Sequence, residues 1–295
     1  MAGNDAARRL SARTPIALTI AGSDSGAGAG IQADLKTFAA LGVYGASAIT
    51  ALTAQNTLGV KAIHYAPPEI VAAQIEAVLS DFNVAAIKIG MLGNVGIVEV
   101  VARALLPRGG TRRAPFIVYD PVMIASSGDA LSEAGFVEAI RAKLLPLVDC
   151  LTPNLAEAAA LLGERTARDE AGMARQGRAL LALGPRAALM KGGHLDGADA
   201  VDLLVTMEET KRYAAPRLAS RNLHGTGCTL ASAIAAHIML GADLGEAVAR
   251  AKAFVGEAIE RARDLDLGAG VGPLAQLPFS GVFTLSDAGR DNVGH

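Results

Sequence analysis

Short apolar runs alternate along the chain with stretches whose apolar residues recur every three or four positions. Ile16–Ala21, bounded by Pro15 and Gly22, reads as a buried strand. Ala29–Leu41 carries apolar residues at 31, 35, 38 and 39, the spacing of one helix face. The same alternation predicts strands at Val43–Leu52, Ala85–Ile89, Phe116–Tyr119, Val148–Leu151 and Ala187–Met190, with weaker ones near 200–206 and 210–215. Helices are predicted from Pro68 to about Leu79, over 95–106, 133–145, 155–162 and 169–183, and near 226–240 and 243–264. Strands alternating with helices imply an α/β fold, a mostly parallel sheet covered on both faces. In such a sheet ligands gather at the carboxyl ends of the strands. The polar punctuation falls there: Gly22–Asp24, Gln55–Asn56, Gly90–Met91, Asp120–Pro121, Asn154 and Lys191–Gly193 each directly follow an apolar strand.

Length changes the picture only by bounding it. The 295 residues suit one large domain, and no shift of composition marks a second. The expected division is a tail over 1–14, a single domain over 15–272 and a Gly-, Pro- and Ser-rich tail over 273–295. Charges nearly cancel, with 27 basic against 29 acidic residues, which argues against a nucleic-acid partner. No apolar run reaches membrane-spanning length. Two cysteines, Cys150 and Cys228, form no disulfide framework and point to a reducing cytoplasm.

Three constellations carry candidate chemistry. The first is Gly22-Ser-Asp-Ser-Gly-Ala-Gly-Ala-Gly30, which opens a helix and lets backbone approach a ligand. It contains a loose dinucleotide fingerprint. No acidic residue occurs between Leu35 and Pro68 to hold a ribose, so a nicotinamide-dependent oxidoreductase fails its own test. A tight strand–helix turn without a ligand is the plain alternative. The second is Asn222-Leu-His-Gly-Thr-Gly-Cys-Thr229. Amides near Gly225, Thr226, Gly227 and Cys228 can converge at the helix start as an anion hole for a phosphoryl group in flight. No Gly-Lys pair exists, so this is not a Walker-type loop; an ordinary glycine-containing cap is the alternative. The third set is scattered: Asp120 and Glu157 suit Mg²⁺, and Lys191 suits the β- and γ-phosphates of ATP. A thiol at a helix N-terminus, as at Cys228, can have a depressed pKa and accept a proton. His224 beside it suits a phosphate or merely caps the loop. His64, His194 and His237 show no metal-binding spacing.

Taken together, these segments resemble the hydroxymethylpyrimidine kinase / phosphomethylpyrimidine kinase family of the ribokinase-like superfamily. The telling stretches are Ala21 through Phe38, Ile49 through Thr57, Lys88-Ile-Gly-Met-Leu92, Asp120-Pro-Val-Met123, Leu151-Thr-Pro-Asn-Leu-Ala-Glu157, Met190-Lys-Gly-Gly-His194 and His224-Gly-Thr-Gly-Cys-Thr229. The resemblance spans roughly residues 15–272 and implies a three-layer α-β-α sandwich. It implies transfer from ATP with Mg²⁺, first onto a pyrimidine alcohol and then onto its monophosphate, for thiamine biosynthesis. Gln55 would then hydrogen-bond the aminopyrimidine edge, with Gly22, Ala29, Met91 and Val122 lining the pocket. Asn154, Glu157, Lys191, Gly192 and Thr226 would face ATP and its metal, with Asp120 and Glu157 as the metal's carboxylates. Gly225–Cys228 would be the anion hole, and Cys228 sits where many relatives outside the family carry an aspartate base. Ala27 stands where a third consecutive glycine is common. The resemblance also implies a homodimer. A pyridoxine/pyridoxal kinase is the nearest rival, and a catalytically silent binding protein on the same fold is another.

Overall fold

The computed structural model describes residues 14–106, 114–123, 134–193 and 195–277. The two tail assignments therefore fall largely outside it, as does His194. Nine strands among the described residues form one sheet. In chain order they are β1 Ile16–Asp24, β2 Tyr44–Asn56, β3 Gly59–Tyr65, β4 Ala86–Ile89, β5 Phe116–Tyr119, β6 Cys150–Leu151, β7 Ala187–Lys191, β8 Asp199–Val205 and β9 Thr210–Pro216. Across the sheet the order is β3-β2-β1-β4-β5-β6-β7-β8-β9. Pairing is parallel from β2 to β7 and antiparallel at the two margins, β3 on one side and β8–β9 on the other.

Helices cover both faces. On one lie α2 (Pro68–Asp81), α3 (Val95–Leu105), α4 (Phe136–Ala139), α5 (Leu155–Leu162) and α6 (Glu170–Leu181). On the other lie α1 (Gly30–Ala40), α7 (Thr226–Met239) and α8 (Leu244–Arg261). The strands feed both cores by alternation: Leu18 and Ile20 of β1 join the first cluster, Ala17 the second. The result is the expected three-layer sandwich. No described helix is long and apolar enough to cross a membrane.

Several boundaries differ from expectation for physical reasons. β1 runs on through Gly22 to Asp24, past a register shift between Ala21 and Ser23, and β2 runs on to Asn56. β2 lengthens because β3, which the apolar pattern does not predict, pairs with it antiparallel. The predicted 133–145 helix instead starts at Phe136, passes into a π-helical turn over Ile140–Leu144 and ends in a 3₁₀ turn at Leu145–Leu147. Pro146 has no amide to continue an α-helix there. Leu274 and Ala275, expected in a tail, are buried, and Ala275 N–H donates to the Ala258 carbonyl. Packing therefore extends past residue 272.

Candidate functional site

The strand ends place the site. Asp24, Asp120, Asn154 and Lys191 close β1, β5, β6 and β7 at one rim, and the N-terminus of α7 lies over them. A chain of close approaches joins the two candidate loops. A β-carbon on Gly22 would lie 2.8 Å from Met91 Cε, and one on Gly28 would lie 2.2 Å from the His224 ring. At Gly225, a β-carbon would lie 1.9 Å from the Gly28 carbonyl oxygen and 3.4 Å from Ala29 Cα. The His224 ring also lies 3.1 Å from the Gln55 side chain. The Gly225–Cys228 turn and the Gln55 wall thus occupy the same side of the sheet.

Beneath the turn lies a charged triplet. Lys191 Nζ donates to Asp120 Oδ1 at 2.6 Å and lies 3.8 Å from Glu157 Oε2. A β-carbon on Gly227 would sit 3.2 Å from both Asp120 Oδ2 and Lys191 Nζ, so glycine keeps the helix start directly against the cation. Thr152 Oγ1 also donates to Asp120 Oδ1. Asn154 and Glu157 form a reciprocal cap of α5, each side chain accepting from the other's backbone amide.

The electrostatics follow from burial. Burial alone would lower the Lys191 pKa, but the carboxylates of Asp120 and Glu157 outweigh it and hold the ammonium charged. Burial pushes the Glu157 carboxyl up to about 7, with Lys191 opposing and Asp120 adding. Cys228 reverses the expectation of a depressed thiol. Burial drives it up to about 11, with Lys88 and the Gly30 amide pulling down and Asp34 and Asp120 pushing up. The helix terminus is outweighed because the thiol lies inside, away from water.

The carboxylates fit a divalent cation shared with phosphates. Among the described residues Asp120 Oδ2 and Glu157 Oε1 accept no protein hydrogen bond, and no third acidic, histidine or cysteine side chain joins them. Such a partial donor set suits Mg²⁺, which retains waters and takes substrate oxygens. Gly192 departs from its expected role. Its amide donates to Asp202, its carbonyl accepts from Leu195, and a β-carbon there would strike the Val201 carbonyl. It packs β7 against β8, and its amide is committed to Asp202. Thr226 Oγ1 donates to the Leu223 carbonyl, tying the turn. Val122 is half-buried, with its amide on the Asp120 carbonyl.

Two features escaped the sequence. Asp24 is buried, and its carboxylate accepts from the amides of Gly26, Gly28 and Ala29 and contacts His224 at 3.0 Å. Burial would raise its pKa; His224 and those amides win and hold it low. Lys88, fully buried, pairs at 2.9 Å with equally buried Asp34, which also accepts from Thr19 and Ser232. Ala27 holds φ at 59°, a left-handed conformation that costs about 1–2 kcal/mol outside glycine.

Gly225 supplies the first prediction. It sits at φ 87° against the Gly28 carbonyl. Gly225→Ala should cost about 2 kcal/mol or more, because left-handed strain and a backbone clash add. Thermal unfolding should show a fall of about 4–8 °C for a domain of this size, with loss of phosphoryl transfer. An unchanged melting temperature would contradict the packing described.

The profile of the phosphomethylpyrimidine kinase family matches residues 24–275. A hydroxymethylpyrimidine/phosphomethylpyrimidine kinase of Rhizobium meliloti is 54% identical over 261 residues, covering 88% of this chain and 96% of that one. The enzyme of the same name from Escherichia coli is 49% identical over 258 residues, covering 88% and 96%. Among solved structures, a phosphomethylpyrimidine kinase from Clostridium difficile is 44% identical with a TM-score of 0.72, covering 83% of this chain and all of that one. A Bacillus subtilis pyridoxal kinase solved as an ADP complex is 32% identical with a TM-score of 0.80, covering 90% and 98%. The mostly parallel sheet between helices is similar to the folds of these kinases and is ribokinase-like. Matched across nearly all its described residues and about half identical to curated relatives, the chain belongs to the phosphomethylpyrimidine kinase family.

Proposed function

We propose that this chain transfers the γ-phosphoryl group of ATP to 4-amino-5-hydroxymethyl-2-methylpyrimidine, and then a second one to the monophosphate, supplying thiamine biosynthesis. One observation carries the reading: the Gly225–Cys228 turn rests on Lys191 and Asp120 at one end and touches the Gln55 wall through His224 at the other. A transferring group between them would meet backbone amides and an ammonium on one side and the ring-binding wall on the other.

In this reading Gln55, Gly22, Ala29, Met91 and Val122 hold the ring. Lys191 and Asn154 face the nucleotide phosphates, and the amides of Gly225 and Gly227 take up charge that develops on the transferred group, while the Thr226 amide is turned to the Leu223 carbonyl. Asp120 and Glu157 would hold Mg²⁺, which when bound neutralises phosphate charge. Products from the pyrimidine alcohol, ATP and Mg²⁺, separated by mass, test the proposal; a monophosphate that never proceeds to diphosphate would remove its second half. Homodimerisation, cytoplasmic residence and the lack of nucleic-acid or membrane partners belong to the same reading. The exposed apolar side chains Leu52 and Leu58 at the β2–β3 margin support the homodimer, the near-balanced charge supports the lack of a nucleic-acid partner, and the two free cysteines suit a reducing compartment.

Vitamin B6 alcohols are the second reading, favoured by backbone likeness to pyridoxal kinases at TM-scores of 0.80–0.81. The higher identity to pyrimidine kinases weighs against it. A side-by-side assay with both alcohols decides.

Cys228 separates the two steps. An alcohol must lose a proton, whereas a phosphate monoester is already anionic. A thiol held near 11 is protonated at neutral pH. If Cys228 is the base, the alcohol step should rise about tenfold per pH unit from 7 towards 10, because the active form is the thiolate. The monophosphate step should stay flat. Cys228→Ala should level the first profile and slow that step at least about 10²-fold, leaving the second nearly intact. Equal losses in both steps would remove Cys228 from proton transfer.

A further inference from the structure

Three side chains meet where the glycine loop touches the start of α7. His224 Nε2 lies 3.0 Å from Asp24 Oδ2 and 3.1 Å from Gln55 Nε2. Thr53 Oγ1 lies 3.2 Å from Gln55 Oε1 and 3.0 Å from the Ser23 carbonyl oxygen. Asp24 is buried with three backbone amides aimed at its carboxyl group, an environment that favours the carboxylate. A charged oxygen 3.0 Å from an imidazole nitrogen demands hydrogen on that nitrogen, since a lone pair there would face negative charge. Asp24 therefore fixes His224 with its hydrogen on Nε2.

That same nitrogen faces Gln55, and an Nε2–H cannot accept from an amide N–H. The contact is favourable only with the carboxamide oxygen turned toward His224. The two ends of a carboxamide have nearly the same shape, and the surrounding hydrogen bonds decide which is which. Turned this way, the Gln55 nitrogen donates to Thr53 Oγ1, and the single Thr53 hydrogen goes to the Ser23 carbonyl. In this orientation the single Nε2–H is shared between the Asp24 carboxylate and the Gln55 oxygen. The opposite orientation sets N–H against N–H at His224 and moves the sharing to Thr53, whose one hydrogen would face both Ser23 and Gln55.

We infer that Asp24, acting through His224, fixes which end of the Gln55 carboxamide meets the substrate ring, so that both are positioning residues for ring selection. In this orientation one Gln55 N–H remains to donate into the pocket, and the ring atom it selects is an acceptor, such as an unprotonated ring nitrogen. The inference rests on the reading of Gln55 as the ring-binding residue.

The test combines a spectrum with a kinetic cycle. In the whole chain labelled with ¹⁵N-histidine, the His224 signal, identified by its loss in His224→Phe, should be that of the Nε2–H ring. Asp24→Asn should release it towards the other form. Phenylalanine keeps a flat ring over Gly28, so His224→Phe guards against a loop collapsed by Asp24→Asn. Each variant should raise KM for the pyrimidine alcohol about tenfold, the worth of one lost hydrogen bond, with kcat within about twofold. Neither should raise it further in a Gln55→Met background. An Nδ1–H ring in the unaltered chain, or equal KM increases with and without Gln55, would overturn the inference. Absence of turnover on either ring alcohol would sink the proposed function and leave the histidine spectrum to decide this one.

Discussion

Replacing Lys191 with methionine should lower the turnover of both phosphoryl transfers by about 10²–10³-fold, the usual loss when one preorganised charge-stabilising donor is removed. The ammonium is the group in this rim that faces both buried carboxylates and the α7 turn, 2.6 Å from Asp120 and 3.8 Å from Glu157. Methionine fills similar space but leaves those two acids with no cation between them. Glu157, already pushed up to about 7, would then hold its proton to still higher pH, weakening the metal set as well. Arginine should not rescue, because its planar fork needs room that the close approach of Gly227 denies. Steady-state kinetics of the two variants, with circular dichroism confirming that each is folded, check this. Turnover within about threefold of the unaltered chain would assign Lys191 to structure alone.

Lys88→Met should cost about 3–5 kcal/mol of stability, the typical effect of removing one member of a buried ion pair. Lys88 and Asp34 are both fully buried, and Asp34 is held by Lys88, Thr19 and Ser232 together. Removing the lysine strands a carboxylate in the core, while the two hydroxyls remain aimed at it. The double variant Lys88→Met/Asp34→Asn should recover much of the loss. Asparagine removes the charge yet still offers an oxygen to the hydroxyls. Denaturant melts of the three proteins measure the difference; a double variant no more stable than the single would show that packing, not charge, sets the cost. The pair also bears on chemistry, since Lys88 is the charge that pulls the Cys228 thiol down against its burial. If Cys228 is the base, losing Lys88 should therefore suppress the alcohol step at neutral pH more than the monophosphate step.

Much of the architecture was legible because parallel strands buried on both faces read as unbroken apolar runs. Ile16–Ala21, Phe116–Tyr119 and Ala187–Met190 all proved to be sheet strands, and the polar residues after them share the rim. β3 was not legible. Its partly buried residues Val60, Ile63 and Tyr65 do not alternate regularly, because the ladder with β2 shifts register between Ala54 and Gln55. The Gly225–Cys228 turn was visible from its glycines, and Asp120 and Lys191 from their strand ends, but the buried groups behind them were not. Lys88 hides inside the run Ala85–Ile89, and its partner Asp34 lies 54 positions away. Asp24 and His224 are separated by 200 positions, and neither local pattern points to the other. Cys228 shows the opposite failure: a correct local rule about helix ends was overruled by burial that only the packed structure reveals.

The segment after α8 ties the site shut. Gly270 and Val271 donate to Thr57 at the β2–β3 turn, Gly272 accepts from the His224 amide, and Gln276 donates to Thr229 in α7. Gly270 and Thr57 stand 213 positions apart. During synthesis the wall bearing Gln55 emerges early, and the strap that braces it emerges only after nearly the whole domain has been made. A growing chain could complete its central strands long before it could hold a substrate. Catalytic competence should therefore arrive late and abruptly, as the closing act of folding.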